Sequence, residues 1–290
     1  MSRKTGDFRP DQYDDKVLLA LYRFRYLTVD LIAKTGEFSI RTWNRRLNEL
    51  LQAGYIDRPP GQKWTYRRHE RAIYALGQKG ADYLAANLDV QFPQTVKWEE
   101  KNRRYRGQDP FSHALKTAEF LIELEIAVAE QGGHLSHQDE LFGVDYVTGI
   151  SWRTQIATEH EMLSVNLKPD GILSLQSPTK RYPLNFCLEI DRGTMPLRST
   201  NFRRSSILKK YLSYADTHNR GLAKEALGLK NFRILIITTT KVRAGNMRNL
   251  WIETCPALPK MCLFSSFEHT RKRGILEIWN NLDGGNEQLF

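Results

Sequence analysis

Arg233-Ile-Leu-Ile-Ile-Thr-Thr239 is apolar along most of its length and not merely on alternate positions. A β-rich run without a polar face suits a strand covered on both sides, and such strands belong to sheets with helices packed on them. The surrounding chain alternates accordingly. Leu163 to Leu175 and Tyr182 to Ile190 read as strands, Phe202 to Asp216 as a helix, Ala244 to Glu253 as a later helix and Met261 to Phe264 as a closing strand. His113 to Glu130, with Leu115, Ala118, Phe120, Leu121, Leu124, Ile126 and Ala127, reads as an amphipathic helix that packs on the sheet. The class expected for this part is α/β with a mixed sheet.

The N-terminal third has a different pattern. Val17, Leu18, Ala20, Leu21 and Phe24 follow helical spacing behind Asp14 or Asp15 as a cap. Thr28 caps a short second helix, Val29 to Lys34, which stops at Thr35-Gly36, where glycine tolerates positive φ. Ser39 caps a third helix, Ile40 to Ala53, with Ile40, Trp43, Leu47, Leu50 and Leu51 facing inward. Tyr55-Ile56, a turn at Arg58-Pro-Pro-Gly61, the basic stretch Gln62 to Arg71, the β-like Ala72 to Leu76 and a helix from Gly80 to Ala86 follow. Three helices and then a hairpin is the winged helix-turn-helix order. The expected division is a winged-helix domain over residues 1–90, a basic linker over 91–109 and an α/β domain over 110–290.

Charge placement gives this division a meaning. Of 43 Lys+Arg and 33 Asp+Glu in all, residues 1–107 hold 21 and 13, a balance of +8 out of the total of +10. A cationic surface favours a polyanion, because neutralising phosphates releases their condensed counterions. In a winged helix the third helix enters the major groove, which makes Arg41, Asn44 and Arg45 the candidates for base or phosphate contact. Lys63, Tyr66, Arg67, Arg68 and Arg71 in the wing are candidates for backbone contact, as are the linker cations Lys97, Lys101, Arg103, Arg104 and Arg106. The alternative is a solvated, charged helix face, and winged helices also dock proteins. Cys187, Cys255 and Cys262 form no CxxC pair and read as buried thiols. No run approaches ~20 apolar residues and Met1 to Pro10 is polar, so a cytoplasmic protein without membrane partners is expected.

Three acids stand out in the α/β part. Asp170 lies in Lys168-Pro-Asp-Gly171, read as the middle of one strand, and Glu189 and Asp191 stand two apart at the end of the next. Residues i and i+2 of a strand share a face, so the pair and Asp170 can converge. Clustered carboxylates repel one another unless a cation lies among them, and hard oxygen ligands favour Mg²⁺ or Mn²⁺. The alternative is a Pro-Asp-Gly turn with Glu189 and Asp191 satisfied by Arg192, Arg198 or a lysine.

Lys168-Pro-Asp-Gly-Ile-Leu followed by Phe186-Cys-Leu-Glu-Ile-Asp-Arg-Gly-Thr194 resembles the PD-(D/E)xK nuclease superfamily, and in particular the replication-relaxation family. Ile73-Tyr-Ala-Leu-Gly-Gln-Lys-Gly80, His113 and Lys209-Lys-Tyr-Leu-Ser-Tyr214 fit the same likeness. The resemblance implies a winged helix followed by a restriction-endonuclease-like domain, similar to relaxases that nick one strand at a transfer origin. It implies Asp170, Glu189 and Asp191 as metal ligands for Mg²⁺ or Mn²⁺. The nuclease motif normally ends in Lys, where this chain has Asp191, and the restriction-like relaxases it resembles tolerate a second acid there. Lys209 or Lys210 could supply the missing cation, Glu119 or Glu123 a further carboxylate, and His113 could orient an acid or cap its helix after Ser112. The implied partners are double-stranded DNA at a mobile-element origin, relaxosome or replication proteins, and a second copy of the chain. The competing expectation is a non-catalytic transcription or replication regulator whose nuclease-like domain serves dimerisation or partner contact.

Other chemistries lack their residues. No His-x-His cluster of the tyrosine relaxases occurs, and no Gly-rich phosphate loop or Gly-x-Ser-x-Gly elbow. His134 and His137 lack the glutamate and cysteines that would make a zinc site.

Overall fold

The structure, a computed structural model, describes residues 8–36, 38–59, 72–88, 90, 109–146, 148–158, 161–277, 279–280 and 286–289. The chain is α/β and divides into two compact units: Met1–Ile122 with Asp145–Val147, and Glu123–Val144 with Thr148–Phe290. The wing residues Lys63, Tyr66, Arg67, Arg68 and Arg71, and the linker cations between 97 and 106, lie outside the described residues. No helix among the described residues is long and apolar enough to cross a membrane.

In the first unit, α1 (Gln12–Phe24), β1 (Leu27–Thr28), α2 (Val29–Thr35), α3 (Ile40–Gln52), β2 (Ile56–Asp57), β3 (Ile73–Leu76) and α4 (Gln78–Asn87) follow in order. Asp11, not Asp14 or Asp15, caps α1, and Asp14 closes a reciprocal capping box by accepting from the Asp11 N–H. Ser39 caps α3 through the Thr42 N–H as expected. The inward face of α3 is Trp43, Leu47 and Leu50; Ile40 is exposed and Leu51 half-buried. Arg46 reaches from α3 to both oxygens of the buried Asp14, at 2.8 and 3.1 Å, and to Asp11. That fork holds α3 against the start of α1. Gly36 has φ of −129° and no left-handed conformation. It is glycine for another reason, because a Cβ there would lie 2.5 Å from the Trp43 ring.

The three strands form an antiparallel sheet with β3 between β1 and β2, in the register Leu27↔Tyr74 and Ile56↔Leu76. Gly80, in the first turn of α4, sits where a Cβ would be 2.1 Å from the Tyr55 carbonyl oxygen. Glycine therefore lets the helix meet the backbone next to β2.

The chain passes between the units along α5 (Asp109–Glu130). The second unit continues with β4 (His134–Ser136), α6 (Gln138–Phe142), β5 (Trp152–Ala157), β6 (Met162–Leu167), β7 (Gly171–Gln176), β8 (Leu184–Ile190), α7 (Ile207–Asn219), α8 (Leu222–Leu227), β9 (Arg233–Thr238), α9 (Lys241–Thr254), β10 (Cys262–Ser266), α10 (Phe267–Arg273), β11 (Trp279–Asn280) and β12 (Asn286–Glu287). Its sheet runs β12-β11-β10-β9-β8-β7-β4, with β8, β9 and β10 parallel and the other pairings antiparallel.

The apolar run around residue 235 is β9, flanked by β8 and β10 and buried from Ile234 to Thr238. Two helical crossovers return the chain to the end of the sheet where the preceding strand began, as parallel pairing requires. Ile172, Cys187, Ile234, Ile236, Cys262 and Phe264 point to one face, and Ile207, Tyr211 and Tyr214 of α7 with Met247, Leu250 and Trp251 of α9 pack on it. Cys187, Cys255 and Cys262 are buried, unpaired thiols.

Several element boundaries differ from the sequence expectation. The stretch 163–175 is two strands, because Pro169 cannot donate to a ladder; β6 pairs with β5 in a separate hairpin and β7 enters the large sheet. The helix expected from Phe202 begins at Ile207, where Ser206 accepts from the Lys209 N–H. His113 does not cap α5, which begins at Asp109.

Candidate functional site

The acids gather where β8 meets the start of β7. Asp170 occupies the bend before β7, not the middle of a strand. Its N–H donates to the Leu188 carbonyl at 2.9 Å and its Oδ2 accepts from the Ile190 N–H at 2.7 Å, so backbone and side chain both extend the β7–β8 pairing. Glu189, at 6% exposure, follows Cys187 on the face covered by α7, as alternation dictates.

The first turns of α7 close over it. Lys210 and Tyr214 are four apart and therefore neighbours on one side of the helix. Glu189 Oε2 accepts from Lys210 Nζ, and Oε1 accepts from the Tyr214 hydroxyl at 2.6 Å. Burial raises the Glu189 carboxyl above its ordinary 4.5; Lys210 and Tyr214 pull it down and the charge on Asp170 pushes it further up. Burial opposes the Lys210 ammonium, but the charges of Glu189, Asp170 and Asp191 outweigh that and raise its pKa. Lys210 thus keeps its proton and is the cation of this corner.

Asp191 is held from a different direction. Arg243, in the first turn of α9, donates Nε to Oδ2 at 2.5 Å and Nη2 to Oδ1 at 3.0 Å, and Thr238 Oγ1 donates to Oδ2 at 2.5 Å. The same Nη2 donates to the Met195 carbonyl at 2.6 Å, fixing the guanidinium. Burial pushes the Asp191 carboxyl up, yet Arg243, Thr238 and the Gly193 N–H together hold it below its ordinary 3.8.

A carboxyl whose folded pKa lies below its unfolded value adds stability above the unfolded value and loses it as pH falls through the folded one. Asp191→Asn is therefore expected to cost about 1.5 to 3 kcal/mol near neutral pH, and progressively less below about pH 4. Urea unfolding of both proteins across pH checks this. A difference that stays constant down to about pH 3 would mean that Asp191 does not ion-pair with Arg243.

Lys209 lies next to Lys210 on α7, and it is Lys210 that meets Glu189. Glu123 is half-buried and belongs to the second unit, whereas His113 and Glu119 belong to the first, with Glu119 accepting from Lys116. Arg41, Asn44 and Arg45 are exposed on α3, and Arg45 pairs with Glu49 at 2.8 Å. The sequence reading missed Tyr214, Thr238 and Arg243. Tyr214 carried a signal, being one helical turn from Lys210; Arg243, 52 positions from Asp191, carried none.

Mg²⁺ and Mn²⁺ require carboxylate oxygens open to a cation. Both oxygens of Glu189 and both of Asp191 already accept from protein donors, and one oxygen of Asp170 is bound to the ladder. Among the described residues no three His, Cys, Asp or Glu side chains form a group that could hold a metal ion. In this arrangement the residues do not fit a divalent ion.

No curated protein matches the chain, and no solved structure does. The replication-relaxation family model matches residues 18–228, from α1 to the end of α8, a span that includes α3, Asp170, Glu189, Asp191, Lys210 and Tyr214 and leaves out Arg243. With well over half its length matched, the chain belongs to the replication-relaxation family.

Proposed function

We propose that this protein binds duplex DNA in the replication or relaxation of a mobile element, and that its first unit is a winged helix reading DNA through α3. The observation that carries the reading is the division of α3. Trp43, Leu47 and Leu50 are buried, while Arg41, Asn44 and Arg45 are exposed and of the types that pair with base edges and phosphates. The Arg45–Glu49 pair keeps 62% and 39% of its side-chain surfaces exposed. An exposed pair contributes little, so Arg45 can exchange Glu49 for a phosphate at small cost. The positive balance of residues 1–107 supports the same partner.

The test is DNA affinity as a function of salt. Arg41→Ala and Arg45→Ala are each expected to weaken binding by about 1 to 3 kcal/mol if they read bases, or to reduce the salt slope by about 0.9 if they touch phosphate. Unchanged affinity and slope in both variants would overturn the reading and favour a protein-docking role.

A second reading, nicking of one strand with Mg²⁺ or Mn²⁺ by the second unit, is favoured by the meeting of Asp170, Glu189 and Lys210 in one corner. It requires that Lys210 give way to the ion. Nicking of supercoiled DNA by the wild type, lost in both Asp170→Ala and Glu189→Ala, would establish it; equal nicking by all three would be contamination.

A further inference from the structure

We propose that Lys210 is the resident cation of the acidic corner: its ammonium stands in place of a divalent ion between α7 and β8, so the native chain excludes Mg²⁺ and Mn²⁺ there, and removing that charge turns Asp170 and Glu189 into a divalent-cation site. The proposal goes beyond the DNA-binding reading and does not depend on it, and it excludes the nicking reading, which needs the ion where Lys210 sits.

Three observations converge on Lys210. The first is contact: Nζ donates to Glu189 Oε2, while Tyr214, one turn further along α7, occupies Oε1. A metal ligated by Glu189 would have to take one of those two positions; Asp170 acts on both, and of the two occupants only Lys210 carries a charge. The second observation is charge. Lys210 feels the carboxylates of Glu189, Asp170 and Asp191 together, whereas Arg243 feels Asp191 alone among the acids. The ammonium is therefore shared by the corner, and the guanidinium belongs to one acid. A divalent ion entering beside Lys210 would meet a like charge at close range in a poorly screened place. The third is confinement. Lys210 keeps 28% of its side-chain surface and Glu189 8%, so the pair is not a solvated surface contact that opens freely.

With the Lys210 charge gone, the chemistry inverts. Arg243 and Thr238 still hold Asp191, so the acids nearest the vacated position are Glu189 on β8 and Asp170 in the bend before β7, whose Oδ2 keeps its bond from the Ile190 N–H. Two carboxylates with water completing the shell are a common donor set for Mg²⁺ and Mn²⁺. The buried negative charge left on Glu189 must be neutralised either by a proton or by such an ion.

Mn²⁺ titration of the metal-stripped full chain, read by the electron paramagnetic resonance of free Mn²⁺ at neutral pH, tests this without DNA. Failure of the DNA-binding reading would therefore leave the result unaffected. Expected are no saturable site in the wild type, a single saturable site in Lys210→Met, and loss of that site in Lys210→Met/Glu189→Gln. Mn²⁺ should also raise the Tm of Lys210→Met, and KCl at equal ionic strength should not. A saturable site in the wild type that Glu189→Gln removes would overturn the proposal, as would a folded Lys210→Met chain that takes up no Mn²⁺. Should Lys210→Met fold poorly, refolding yield replaces the titration. A yield that rises with Mn²⁺ supports the proposal, and one indifferent to Mn²⁺ overturns it.

Discussion

Glu189→Ala is expected to destabilise the protein by about 3 kcal/mol, whereas Glu189→Ala/Lys210→Met should cost less than Glu189→Ala alone. Breaking a buried ion pair by removing one partner costs about 3 to 5 kcal/mol because the other charge stays behind unpaired. Replacing both partners with apolar groups removes the desolvation penalty together with the attraction and is often close to neutral. The lower end of the range applies here, because Lys210 retains some exposure and because Asp170 and Asp191 continue to offset its charge. Tyr214 adds to the single-variant loss, since its hydroxyl loses the Glu189 acceptor. Urea unfolding of the wild type, both single variants and the double variant completes the cycle. Losses that simply add would mean that Glu189 and Lys210 do not act as a unit. The identity of the cation in this corner would then be open again.

The sequence revealed the acids of this corner and not their partners, for a physical reason. Alternation along a strand is local, so Glu189 and Asp191 could be placed on one face from their spacing of two. The apolar length of β9 likewise announced a covered strand and with it the α/β class. Arg243 becomes a partner only because β9 lies beside β8 and delivers the start of α9 to the end of that strand. Nothing within a window of a few residues encodes that pairing.

Local competition explains the other differences. Ser199 and Asn201 bond their side chains to backbone groups a few residues away, which stabilises a turn where helical spacing had suggested a helix and delays α7 to the Ser206 cap. The alternation over 163–175 places Asp170 inside a strand, but Pro169 breaks the run and leaves Asp170 in a bend. The helix stop at Thr35-Gly36 is legible from the sequence, but the positive φ expected of Gly36 does not occur. The close approach of the Trp43 ring is a tertiary fact that backbone preference does not report.

Trp251→Ala is expected to cost about 3 to 5 kcal/mol and, for a unit of this size, to lower Tm by roughly 6 to 20 °C. The side chain is completely buried on α9, its Nε1 donates to the Leu258 carbonyl at 3.1 Å, and its ring meets Tyr211 of α7 edge-on with centroids 4.9 Å apart. Tyr211 in turn donates its hydroxyl to the Met247 carbonyl of α9 at 3.1 Å. The two helices are therefore joined through an aromatic contact and a hydrogen bond that both involve Tyr211, the residue directly after Lys210. A cavity at position 251 removes the contact on one side of Tyr211 and loosens the turn of α7 that seats Lys210 over Glu189. Trp251→Phe keeps a ring but loses the bond to Leu258, and should cost clearly less than alanine. Calorimetric unfolding of both variants measures the losses. An alanine cost below about 1 kcal/mol would show that the site collapses around the deletion, in which case α7 would take its position from the Ile207 and Tyr214 side of the helix and not from α9.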